Sequence, residues 1–149
     1  MNSMLNKIRP YFYPAAFLQA VVAMTGSLYF SEAMRLVPCV LCWYQRITMY
    51  SLMAILLIGI YFKDSKVYRY VLPLAIVGLL IATYHAVLYY GVNWGWYPEW
   101  TGPCVAGVSC TTRYIEWLGF ITIPLLSWTA HLVITILMAL SWKAEKRVG

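Results

Sequence analysis

The chain has 149 residues, of which 62% are hydrophobic and only 11% charged, with a formal net charge of +6. Ordinary soluble domains carry roughly a quarter of their residues as charges, so a soluble enzyme or a separate soluble module is excluded. The basic residues flank apolar runs, which points to orientation in a membrane and not to nucleic acid.

A membrane-spanning helix needs about 20 largely apolar residues. The first such run, 11–30, follows Lys7 and Arg9 and is free of charge. It is too long for a signal-peptide core and no convincing small-residue cleavage site follows, so an uncleaved first span is expected. Next comes Pro38-Cys39-Val40-Leu41-Cys42, at the head of a second span expected over 43–62. If that helix starts near Cys39, then Cys39, Cys42 and Arg46 are spaced i, i+3, i+7 and share one face. Cys42 in the first turn would feel the positive end of the helix dipole, and Arg46 would add a fixed charge. Both favour the thiolate, the nucleophilic form. Arg46 also suits a snorkelling interfacial anchor.

A third span is expected over 70–90, with His85 near its outer end. Five residues of helix put His85 roughly 7–8 Å below the interface. An ionisable group in a span suggests a functional site; the bland alternative is a histidine satisfied by Thr83 or Tyr89. The following loop opens with Trp94, Trp96, Tyr97 and Trp100 around Pro98. They suit an interfacial belt, and also a surface that docks a partner or covers a quinone. It then carries the second pair, Cys104 and Cys110, in a short uncharged segment. A ring that small adds little stability, which favours exchange over stapling. The fourth span is expected over 118–142, with Pro124 and a deeper His131 read as structural.

Lys and Arg gather before the first span, between the second and third (Lys63, Lys66, Arg69) and after the fourth (Lys143, Lys146, Arg147). The positive-inside rule therefore predicts an all-α, four-helix membrane bundle with both termini in the cytoplasm. Both cysteine pairs then lie in the two extracytoplasmic loops, where disulfides persist. All four cysteines are used in these pairs. Redox chemistry, inert disulfides and a zinc site each remain compatible with the spacing, although zinc knuckles usually show short spacings in both halves.

Pro-Cys-Val-Leu-Cys-Trp-Tyr-Gln-Arg at 38–46 resembles the signature of the DsbB family of thiol:quinone oxidoreductases. The likeness covers nearly the whole chain, and the short Cys104–Cys110 spacing is most similar to the BdbC branch of Gram-positive bacteria. The resemblance implies a cell-membrane enzyme of disulfide bond formation whose acceptor is menaquinone or ubiquinone. Its partner would be an extracytoplasmic thioredoxin-fold thiol oxidase. Cys104 would be attacked by the reduced partner, and Cys110 would exchange with Cys39. Cys42 would meet the quinone, with Arg46 and His85 beside it. The short second loop limits reach for the Cys39–Cys110 step, and no metal is implied. The competing expectation is a four-helix membrane scaffold with structural outer-loop disulfides, tetraspanin-like in layout, although the chain has no Cys-Cys-Gly motif.

Overall fold

The structure, a computed structural model, describes residues 2–98, 108–114 and 121–146, with the backbone alone for 2–10. The order is α1 (Asn2–Leu28), a wide π turn (Tyr29–Ala33), α2 (Val40–Tyr61), α3 (Tyr68–Asn93) and α4 (Ile123–Glu145). Among the described residues four helical stretches are long and apolar enough to cross a membrane: Tyr11–Ala33, Val40–Tyr61, Tyr68–Asn93 and Ile123–Glu145. Helices suit that setting because they satisfy their own backbone groups where water cannot.

The helices close into a ring. α1 packs on α2 and α4, α3 packs on the same two, and α2 and α4 barely meet across the centre. Ala16 and Ala20, one turn apart, let α1 approach closely; Leu52, Leu56, Val71, Ala75, Ile134 and Met138 fill the middle.

Local chemistry explains where the helices stop. Lys63 takes a left-handed φ of 55°, while Lys63 N–H reaches the Ile60 carbonyl and Asp64 N–H the Gly59 carbonyl. That is a Schellman ending. α3 ends the same way, with Gly95 at φ 78° and Trp96 N–H on the Gly91 carbonyl. α4 begins later than the apolar run suggests, at Ile123. Thr122 caps it, its hydroxyl accepting from Leu125 N–H, and Pro124 fits the first turn, where a missing N–H costs nothing. Residues 118–120 of the expected fourth span lie outside the described residues.

Among the described residues the buried polar side chains are partnered. His131 donates Nδ1–H to the Ser127 carbonyl at 2.9 Å and meets the Thr48 hydroxyl at 3.1 Å. The sequence offered no partner for His131; Thr48 is supplied by α2, across the bundle.

Candidate functional site

The site sits where α2 begins. Cys39 is the cap of that helix, in extended backbone just after Pro38, and its sulfur accepts Cys42 N–H at 3.3 Å. The helix therefore starts with Val40, three residues earlier than the 43–62 reading, and Cys42 is the third helical residue. Both thiols are free, and their sulfurs lie 2.9 Å apart. A disulfide needs about 2.03–2.05 Å, so on two-electron oxidation only a small displacement is needed to form the bond.

The sequence favoured Cys42 as the thiolate. The structure gives the better stabilising contacts to Cys39. Besides the Cys42 sulfur, Cys39 receives the Cys42 backbone N–H and faces His85 Nε2 at 3.8 Å. The Cys42 thiol hydrogen bond, then His85, hold the Cys39 thiol far below its ordinary value of 9.0, at about 4, against the opposing effect of burial. A cap position is also where backbone N–H groups converge most directly on an anion.

Above Cys39 lies residue 110. Cys110 is disulfide-bonded and buried; Cys104 lies outside the described residues. Ligand-capable atoms of Cys39, His85 and Cys110 all fall within 4.8 Å of one another. The short second loop therefore does not keep Cys110 away from Cys39. It reaches because its end is fastened. Arg113 donates to the Asn93 side chain at 2.5 Å and to its carbonyl at 3.1 Å. Asn93 donates to the Thr111 carbonyl, and Tyr114 donates to the Val37 carbonyl of the first loop.

His85 is buried at 1% exposure. Its Nε2 meets the Cys110 carbonyl at 3.1 Å and its Nδ1 the Gln45 amide at 2.9 Å. Thr83, one of the partners weighed from sequence, turns back to the Leu79 carbonyl.

Two cavities meet at Cys42. The smaller, of about 30 Å3, is bounded by Cys39, Cys42, His85, Tyr89, Cys110 and Tyr114 among others, and has room for about one water. The larger, of about 290 Å3, lies between α1, α2 and α4; Cys42, Gln45 and Arg46 form its polar end and Val22, Phe30 and Met49 part of its apolar wall. Arg46 is held there by Ser27 of α1, donating Nε–H to the hydroxyl at 2.8 Å and Nη2–H to the carbonyl at 2.6 Å. Its guanidinium also lies 5.5 Å from the Trp43 ring centre. Cys42 and Arg46 thus share a cavity, as their spacing suggested, while His85 bounds the cysteine side. Gln45, which stands between them, was missed; its place two turns inside a helix apolar on most sides was the available signal.

A family model described as Disulfide bond formation protein DsbB matches residues 9–142. The chain belongs to the DsbB family. It is 48% identical to Disulfide bond formation protein C of Bacillus subtilis over 94% of this chain and 98% of that one. It is 42% identical to Probable disulfide formation protein C 2 of Bacillus cereus, over 94% and 97%. To Probable disulfide formation protein C of Halalkalibacterium halodurans it is 43% identical, over 81% and 85%. No solved structure matches the chain. As a DsbB family member with four helices able to span a bilayer, it is a multi-pass membrane protein.

Proposed function

We propose that this DsbB family protein is a thiol:quinone oxidoreductase of disulfide bond formation, which reoxidises an extracytoplasmic thioredoxin-fold thiol oxidase. One observation carries the reading: Cys42 lines both the cavity toward Cys110 and the larger one ending on Arg46. A thiol placed so can receive electrons on one side and release them on the other.

The larger cavity fits a quinone. Its size is near the lower end of small-molecule sites, at about 300 Å3. Its wall is mostly apolar, with a charged donor, an amide and a thiol gathered at one end. When bound there, menaquinone or ubiquinone supplies a two-electron, two-proton acceptor. Arg46 presents N–H groups toward an oxygen gaining charge, and its bonds to Ser27 keep it from reorienting during the reaction.

The rest is thiol chemistry. A reduced partner attacks Cys104 of the Cys104–Cys110 disulfide and leaves oxidised, with Cys104 and Cys110 as thiols. Cys110 then attacks Cys39 of the Cys39–Cys42 disulfide, and the electron pair of the broken bond settles on Cys42. Cys104 attacks Cys110, restoring the outer disulfide and freeing Cys39. Reduced Cys39 and Cys42 next give up two electrons and rejoin. The free Cys39 and Cys42 thiols, 2.9 Å apart, support this reading over a scaffold whose loops are stapled.

The test is reconstitution. Protein in liposomes containing menaquinone or ubiquinone should reduce it on addition of a reduced thioredoxin-fold protein, followed by quinone absorbance. Cys42→Ser should abolish turnover. Full turnover in that variant, or none in the wild type, overturns the reading.

A further inference from the structure

We infer that His85 is the acid–base catalyst of the electron handover between the two cysteine pairs, and that Gln45 is the residue positioning it. The inference rests on the exchange proposed above and adds the proton path that exchange requires.

A thiol attacks a disulfide only as its thiolate. Cys110, once reduced, is buried beside Cys39 and has to lose its proton there. A ring nitrogen of His85 lies within 4.8 Å of both sulfurs, and Nε2 is 3.8 Å from that of Cys39. His85 bounds the small cavity and is absent from the lining of the large one. Among the described residues the other titratable groups facing it there are Cys39, the cap of α2, Cys42 of α2, Tyr89 of α3, and Cys110 and Tyr114 of the loop. From α4 only Ile123 and Pro124 face that cavity.

The hydrogen bonds show which proton is where. A carbonyl oxygen can only accept, so Nε2, 3.1 Å from the Cys110 carbonyl, carries a hydrogen. Nδ1 faces the Gln45 amide. An amide offers an NH2 donor at one end and an oxygen acceptor at the other. Its NH2 donates to bare Nδ1 in the neutral ring with hydrogen on Nε2. Turned over, its oxygen accepts from Nδ1–H, as the imidazolium and the opposite neutral tautomer require. Gln45 therefore satisfies His85 in every protonation state the exchange visits, with no charge of its own.

The step balances. The tautomer with Nε2–H on the Cys110 carbonyl cannot take this proton; once the ring shifts to the opposite neutral tautomer, with Nδ1–H on the Gln45 oxygen, bare Nε2 takes the proton from Cys110. The Cys110 sulfur bonds to Cys39, the Cys39–Cys42 bond breaks, and its electron pair stays on Cys42 as thiolate. The thiolate of Cys104, its proton lost to water, bonds to Cys110, and the Cys110–Cys39 bond breaks. The electron pair stays on Cys39, and the Nε2 proton passes to the newly reduced Cys39–Cys42 pair, returning His85 to its neutral form. Two electrons have moved inward, and His85 ends as it began.

The experiment is a single turnover without quinone. Oxidised protein in detergent is mixed with stoichiometric reduced thioredoxin, quenched with acid, and Cys39 and Cys42 thiols are counted by maleimide mass shift. H85Q should slow their appearance by roughly 10²-fold, the lower range for losing acid–base catalysis, and flatten the rise of rate with pH. Q45E should move that rise to higher pH, because a carboxylate on Nδ1–H holds the imidazolium form. A wild-type rate and wild-type pH profile in H85Q overturn the inference. If H85Q does not fold, Q45E decides, and an unmoved profile overturns it. Cys104→Ser/Cys110→Ser protein should stay oxidised; its reduction at the wild-type rate would also overturn the route. Wild-type exchange without later quinone reduction would count against the acceptor reading alone.

Discussion

At the scale of single residues, the position of Cys39 as a helix cap sets its chemistry. Its folded value of about 4 against the ordinary 9.0 means that the folded protein prefers its thiolate. The linked stability is complete above pH 9, shrinks as pH falls, and is gone near pH 4. Reduced protein with Cys104 and Cys110 replaced by alanine should therefore show one thiolate by ultraviolet absorbance at neutral pH, lost only toward about pH 4. Thiolate appearing only near pH 9 would contradict this. Arg46 makes a different prediction. Lysine keeps the charge but cannot bond both the hydroxyl and carbonyl of Ser27 through a rigid fork. R46K should raise the quinone KM about tenfold, the loss of roughly 1.4 kcal/mol expected for one hydrogen bond to a charged group. Exchange between the cysteine pairs should stay unchanged in that variant. Residues also show the limit of sequence reading. The Cys42 and Arg46 spacing was legible because both lie on α2 about one turn apart, while Cys39 precedes the helix as its cap. The partners of His85 and His131 were not, because helices apolar on most sides give no contrast between faces.

At the scale of elements, close helix approaches depend on two glycines. A Cβ on Gly78 of α3 would lie 2.3 Å from the His131 ring of α4. One on Gly59 of α2 would lie 2.3 Å from a methyl of Val67, at the start of α3. Gly78→Ala and Gly59→Ala should each destabilise the protein by about 1–3 kcal/mol, the usual range for overpacking, seen as a lower Tm in detergent. Gly26 of α1 has nothing within 4 Å. Gly26→Ala should be neutral or stabilise by up to about 1 kcal/mol, the helix-propensity gain. Equal losses at all three positions would refute the packing account. The four spans were legible because length and lack of charge suffice to find them. The start of α4 was misjudged by counting apolar residues, although Thr122 and Pro124 are ordinary start signals. The reach of Cys110 was not legible, since the bonds of Arg113 to Asn93 and of Tyr114 to Val37 join segments far apart in sequence.

At the scale of the whole molecule, the charge distribution makes a prediction about orientation. Lys63 and Lys66 lie in the turn between α2 and α3, and Trp96 lies just past the far end of α3. In a cysteine-free background, Trp96→Cys should react with an impermeant maleimide on intact cells. Lys66→Cys should react only after permeabilisation. The reverse pattern would invert the topology and put both cysteine pairs in the cytoplasm, where disulfide formation is disfavoured.

The depth of Cys39, 5% exposed under Cys110 and His85, has an electrical meaning. A membrane pool of oxidant next to a compartment of small soluble thiols is a short circuit waiting for a conductor. In the proposed function this burial insulates the inner contact, so current would enter by way of the outer terminal, Cys104 and Cys110. Small thiols unable to engage that terminal would then drain the pool slowly, and oxidising power would be reserved for the protein shaped to plug into it.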